Sequence, residues 1–228
     1  MPAEISVIIP TLNAAADLPA CLESLIEGLG AGLIRELIIT DGGSTDATLT
    51  IAESAGATIV TGPASRGGQL RRGVDVAKGN WLLVLHADTV LGAEWAPVVQ
   101  THLDRGTGAA AWFQLAFRAN GLRARWVAGW ANLRSSLFGL PYGDQGLLVS
   151  RQMYLQAGGY PDQPLMEDVA LARALKGQII GLAVTAVTGA ERYQRKGWLR
   201  CGAQNLWILT RYFAGTDPEK LAASYRRP

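Results

Sequence analysis

Several carboxylates stand where chemistry could be done. Asp88 follows the apolar run of residues 81–85. A carboxylate at the end of a buried strand is costly unless it is paired or metal-bound. Hard divalent cations take oxygen ligands, often one or two carboxylates completed by substrate phosphates. Asp88 therefore suits an anchor for a metal–diphosphate, and it suits a cap on the following turn equally well. His86, two residues earlier, fits packing or hydrogen bonding better than ligation. Asp41 opens Asp41-Gly42-Gly43-Ser44-Thr45-Asp46, where two glycines let the backbone turn sharply and approach a ligand. Its carboxylate could accept a hydrogen bond from a nucleobase imide, whereas Ser44, Thr45 and Asp46 better fit a turn and helix cap. Arg66 precedes Gly67-Gly68 at a helix start, where free N–H groups favour anions. Arg71 and Arg72 fit the surface of that helix. Glu167-Asp168 opens another helix, and acids in a first turn are stabilised by the helix dipole alone. The functional reading makes the pair the site of a general base at a pocket mouth, with Met166 a packing residue.

The elements that must hold these residues alternate in period. Residues 5–10 form a β-branched apolar run suited to a strand buried on both faces. Residues 13–29 follow at helical spacing, with Asp17 as an early-turn acid or cap. Strands are expected at 36–40, 58–61 and 81–85. Helices are expected at 45–56, capped by Ser44 or Thr45, and at 68–78, closed by Gly79. This β-α-β-α-β-α-β order argues for a mainly parallel sheet with helices on both faces. Ligands of such sheets bind outside the carboxyl ends of the strands. Thr11/Asn13, Asp41 and His86/Asp88 lie at three such ends and nominate one pocket. Further on, strands are expected at 110–117, 146–150 and 179–187. Helices are expected at 121–138, with Arg123, Arg125, Trp126, Trp130 and Arg134, at 168–175, and at 199–213 ahead of a polar tail.

Other chemistries lack their residues. No GxGxxG follows the first strand, and there is neither a GxxxxGK[ST] loop nor a GxSxG elbow. Cys21 and Cys201 give no CxxC site, and His86 and His102 cannot build a His-rich centre. With 49% hydrophobic and 18% charged residues the chain is not disordered. Its 228 residues suit one domain, ending in a basic amphipathic segment (191–228). That last segment has eight basic and three acidic residues, against +2 for the whole chain. It could hold diphosphate or an anionic acceptor, or lie against lipid headgroups. Nucleic acid is not an expected partner. The N-terminus has no signal-peptide pattern, and no apolar run reaches the roughly 20 residues of a membrane span. A cytoplasmic protein, peripheral on a membrane face at most, is expected.

In order, Val7-Ile8-Ile9-Pro10-Thr11-Leu12-Asn13, Ile39-Thr40-Asp41-Gly42-Gly43-Ser44-Thr45-Asp46, Leu85-His86-Ala87-Asp88 and Glu167-Asp168 resemble a family 2 glycosyltransferase of GT-A (nucleotide-diphospho-sugar transferase) fold. Gly143-Asp144-Gln145-Gly146, Gly158-Gly159-Tyr160 and Met166-Glu167-Asp168 resemble one small bacterial subgroup. The resemblance implies a nucleotide-binding half (1–105), an acceptor and catalytic half (106–190), and a hexosyltransferase-like enzyme using Mg²⁺ or Mn²⁺. It makes one inverting transfer from a nucleotide sugar to a hydroxyl of a lipid, metabolite or glycan. Pro10, Thr11, Asn13, Asp41, Arg66, Gln69, His86 and Asp88 fall on the donor side, with Asp88 on the metal. Asp168 is the implied base. Asp144, Gln145, Glu167 and Trp198 fall on the acceptor side, Trp198 lying beside Arg195 and Lys196. Two departures stand out. His86 occupies the first Asp position of the DxD motif, and 192–198 only loosely echo the QxxRW element of processive members. Trp112, Trp126, Trp130, Trp198 and Trp207 are expected mostly in the core. A nucleotidyltransferase would need a GGxGTR-like loop that is absent. A non-catalytic nucleotide-sugar binder would not need Asp168.

Overall fold

The computed structural model describes residues 3–175 and 177–226. The first half runs β1 (Ile5–Thr11), α1 (Leu18–Ser24), α2 (Ile26–Gly30), β2 (Ile34–Asp41), α3 (Thr48–Ser54), β3 (Thr58–Thr61), α4 (Arg66–Val76), β4 (Trp81–Val84), β5 (Val90–Leu91) and α5 (Trp95–Asp104). Then come β6 (Ala110–Phe117), α6 (Leu122–Phe138), a 3₁₀ turn (Gly143–Gln145), β7 (Leu147–Ser150), α7 (Arg151–Gln156) and α8 (Glu167–Ala174). The chain continues through β8 (Ile179–Thr188), α9 (Glu191–Lys196), α10 (Trp198–Phe213) and α11 (Pro218–Arg226).

Among the described residues one sheet has the order β3-β2-β1-β4-β7-β6-β8-β5. β1 pairs in parallel with β2 and β4, β2 with β3, and β6 with β8. β7 joins the halves antiparallel to β4 and β6, and β5 runs antiparallel to β8. The pleat explains the apolar run of β1. Val7 and Ile9 enter one core layer with Leu18, Trp95 and Val99, while Ile8 enters the opposite layer with Leu70, Val74 and Leu82. The parallel register sets Thr11 directly beside Asp41, so two polar strand ends meet at one edge of the core.

Several local expectations need correction. The helix expected over 13–29 starts at Leu18 and breaks into α1 and α2. Asp17 makes no cap bond and instead pairs with Arg118 at 3.2 Å. The helix expected from 45 starts at Thr48, because Ser44 and Thr45 are occupied by Asp41 and Asn13. Gly79 does not close α4 in a left-handed cap, since Ala77 ends that helix in extended backbone. A Cβ on Gly79 would instead lie 2.4 Å from the Glu4 carbonyl, so glycine is there for close approach to β1. Of the five tryptophans, Trp112 is buried and Trp198 partly so, but Trp126, Trp130 and Trp207 are 51–63% exposed. The C-terminal tail is helical in α11, and α5, α7, α9 and β5 were not anticipated.

Candidate active site

The site begins with the turn after β2. Asp41 is 1% exposed. Its Oδ1 accepts from Thr11 Oγ1 (2.9 Å) and Ser44 Oγ (2.5 Å), and its Oδ2 from the amides of Gly43 (2.8 Å) and Ser44 (2.7 Å). An ionised carboxylate has about four acceptor sites, and all are taken. Burial opposes its ionisation, but these hydrogen bonds win and hold its pKa below the ordinary value. Asn13 ties the same turn to β1, its Oδ1 accepting from the Thr45 amide at 2.9 Å. Gln69, buried in α4, donates to the carbonyls of Thr11 (2.9 Å) and Thr40 (2.7 Å). These residues lock the ends of β1 and β2 and the start of α4 into one rigid corner. Beside that corner lies a chamber of about 760 Å³, walled by Pro10, Thr11, Gln69 and Arg66 and roofed by Ala222 and Tyr225 of α11.

The chamber adjoins a narrower cleft of about 230 Å³, and Arg66, His86, Leu165 and Tyr225 line both. Asp88, Asp144 and Asp168 all line the cleft. They come from the end of β4, the 3₁₀ turn and the first turn of α8, so distant segments converge. Among the described residues the Asp88 side chain accepts one hydrogen bond, from Thr188 Oγ1 at 3.2 Å. Asp168 Oδ2 accepts from the Gly143 amide and Oδ1 from the Val169 amide, both at 2.7 Å. Those bonds fix the orientation of the Asp168 side chain in the cleft. The backbone just before is strained, with Met166 at φ +66°. Left-handed non-glycine residues of this kind gather at functional sites.

The charges interact. Burial, with Asp168 and Asp88 nearby, pushes the Asp144 carboxyl up to about 6, although Arg134 pulls the other way. Among the described residues its buried Oδ1 has no hydrogen-bond partner. Burial, aided by Asp168 and opposed by Arg66, lifts Glu167 to about 8, and its Oε2 is also without a hydrogen-bond partner among the described residues. Burial and the Arg66 charge lower the pKa of His86, against the pull of Asp88 and Asp168. Three or more His, Cys, Asp or Glu side chains gather in no metal-binding group among the described residues. Asp88 suits the other arrangement, in which one carboxylate holds a hard cation and substrate phosphates complete its shell.

The structure brings Arg66, His86, Asp88, Asp144 and Asp168 together, with Pro10, Thr11, Gln69 and Glu167 on the adjoining chamber. Four sequence candidates are placed elsewhere. Asp41 and Asn13 are spent inside the corner and line neither space. Gln145 is fully buried and holds α6, accepting from Ser135 Oγ (2.7 Å) and donating to Asn132 (3.2 Å). Trp198 packs on Tyr193 and Phe117, each ring 5.1 Å away. Tyr142, Thr188, Glu191, Arg192 and Tyr193 line the cleft and were missed. The loose QxxRW echo at 192–198 was the available signal, but its first residues face the cleft, not its tryptophan.

Residues 6–150 match the model for glycosyl transferase family 2, and the chain belongs to that family. A PGL/p-HBAD biosynthesis glycosyltransferase of Mycobacterium tuberculosis is 45% identical over 93 residues. That match takes in 38% of this chain and 36% of the relative, so it spans about a third of the relative's length. In fold the chain is similar to S. aureus TarS 1–349, with TM-score 0.59, 15% identity, and 81% of this chain and 57% of that one covered. It is also similar to glucosyl-3-phosphoglycerate synthase of M. tuberculosis in complex with Mn²⁺, UDP and phosphoglyceric acid. There the TM-score is 0.55 at 23% identity, over 82% of this chain and 69% of that one.

Proposed function

We propose that this chain transfers one sugar from a nucleoside-diphosphate sugar to a hydroxyl acceptor, inverting the anomeric centre in a single displacement. The observation that carries the reading is that Asp88 and Asp168 line one cleft opening into a larger chamber at the ends of β1 and β2. The chamber takes the nucleoside, and Arg66, at the shared wall, faces the diphosphate. A divalent cation held by Asp88 would neutralise charge on the departing diphosphate. Asp168 takes the proton of the acceptor hydroxyl, and the acceptor oxygen bonds to the anomeric carbon. The bond from that carbon to the diphosphate breaks, and its electron pair leaves with the nucleotide. A positioned base of this kind contributes about 10²–10⁴-fold. Neutral His86, standing where the family has an acid, adds no negative charge beside the diphosphate. Asp144, its carboxyl raised to about 6 and so mostly ionised at neutral pH, can accept a hydrogen bond from a hydroxyl of the sugar or acceptor.

UDP-bound and Mn²⁺-bound similar structures make UDP the first nucleotide to try. Thermal shift with UDP and UDP-sugars, with and without Mn²⁺, tests the reading. Binding to the native state raises the melting temperature by mass action, about 2.7 kcal/mol at a hundredfold excess over Kd. A shift that needs both UDP and Mn²⁺ is expected. No shift with any nucleoside diphosphate, with or without metal, would overturn the proposal.

A further inference from the structure

Helix α6 is built inside out. It buries Ala124, Ala128, Ala131 and Ser135, while Leu122, Trp126, Trp130, Leu133 and Leu137 are 48–80% exposed. The exposed five follow at positions i, i+4, i+8, i+11 and i+15, which is one stripe of a 3.6-residue helix. Helix α10 packs beside α6 and also turns Leu199, Leu206 and Trp207 outward. Trp130 and Leu206 border the same crevice between the two helices, so the stripes join into one face. Exposed contiguous apolar surface of this size marks an interaction site.

The charges around the face select the partner. Neither α6 nor α10 contains Asp or Glu. On helical geometry Arg123 and Arg125 border the α6 stripe on its two sides, and Arg200 lies next to Trp207 on α10. Tryptophan and leucine ringed by arginine match a lipid interface with anionic headgroups. A second copy meeting this face about a twofold axis would set arginines against arginines. Another exposed apolar patch, around Ile26 and Leu29, has Glu23, Arg35 and Glu36 beside it, so its border is of mixed charge and lacks this signature. No helix among the described residues is long and apolar enough to cross a membrane. We infer that the α6–α10 face seats the protein on the surface of an anionic lipid bilayer. The crevice at its centre runs inward to Asp144, Tyr142 and Tyr193, which also line the cleft. Seating would therefore bring a bilayer-borne hydroxyl to the acceptor side.

Vesicle flotation tests this without donor or acceptor, so its outcome is separate from the glycosyl-transfer reading. The protein should float with phosphatidylglycerol–phosphatidylcholine vesicles and stay behind with phosphatidylcholine alone. Trp126→Gln/Leu137→Gln/Trp207→Gln, all on exposed positions, should weaken binding about tenfold or more. Arg123→Gln/Arg200→Gln should weaken it about tenfold at low salt, and less as salt rises. UDP binding should be unchanged in both. Wild-type protein that ignores anionic vesicles would overturn the inference, as would undiminished flotation of the triple variant. So would a dimer in sedimentation velocity that the triple variant abolishes, which would show that a second copy covers the face.

Discussion

The Gly143 amide donates to Asp168 Oδ2 at 2.7 Å, and a Cβ on Gly143 would lie 2.5 Å from His86 Nε2. One glycine thus joins the end of β4 to the start of α8 and carries Asp144 between them. Its backbone is outside the left-handed region, so the demand for glycine here is steric. Gly143→Ala should push back His86 or the 3₁₀ turn and loosen the Gly143–Asp168 bond. Turnover should fall about 10–100-fold, with a stability cost of about 1–3 kcal/mol for the overpacking. Steady-state rates and thermal melts check both numbers, and an unchanged rate would show that the junction does not position the cleft.

Asp168→Asn keeps the shape of the side chain and an oxygen to accept from Gly143, removes the basicity, and leaves the Val169 amide facing an NH₂ group instead of its acceptor. Turnover should fall by about 10²-fold or more while donor affinity stays near wild type, with a stability loss of no more than about 1–3 kcal/mol for the Val169 amide. Normal turnover would take Asp168 out of the reaction.

Glu167 gives a pH signature in stability. Its pKa rises from 4.5 to about 8 on folding, so the native state keeps a proton that the unfolded chain releases. Stability from this group is full below about pH 4.5, declines as pH rises towards 8, and is flat beyond. Glu167→Gln should remove the decline and raise the melting temperature more at pH 8 than at pH 5. Equal gains at both pH values would contradict the buried, proton-holding carboxyl.

Asp41 is assigned to the fold. Asp41→Ala leaves the Gly43 and Ser44 amides without their acceptor and should cost about 1–3 kcal/mol. Nucleoside diphosphate affinity, measured well below the melting temperature, should change little. The lowered pKa of Asp41 means that its contribution is present above pH 3.8 and lost as pH falls through the native value. A large loss of affinity with intact stability would return Asp41 to the nucleotide.

The strands other than β5, and the place of Asp88 just beyond β4, were legible, because apolar runs and their polar ends are local patterns. What hid from the sequence was set by partners far along the chain. Asp41 looked available until Thr11, thirty residues away, took one of its lone pairs. Gln145 looked like a neighbour of the acceptor but is consumed by Ser135 and Asn132 of α6. Pro97 and the β-branched pair Val98-Val99 disguised α5, although proline is tolerated in a first turn. Trp126 and Trp130 of α6 were among the tryptophans expected mostly in the core, because an apolar side chain does not report which side of its helix is buried. The many alanines opposite were the overlooked cue.

Calorimetric titration of UDP in the presence of Mn²⁺ bears most directly on the division of labour across the cleft. Wild type and Asp168→Asn should bind alike, and Asp88→Ala should bind about tenfold more weakly or worse, with its dependence on Mn²⁺ gone. An Asp88→Ala protein that binds UDP–Mn²⁺ as tightly as wild type would contradict the account.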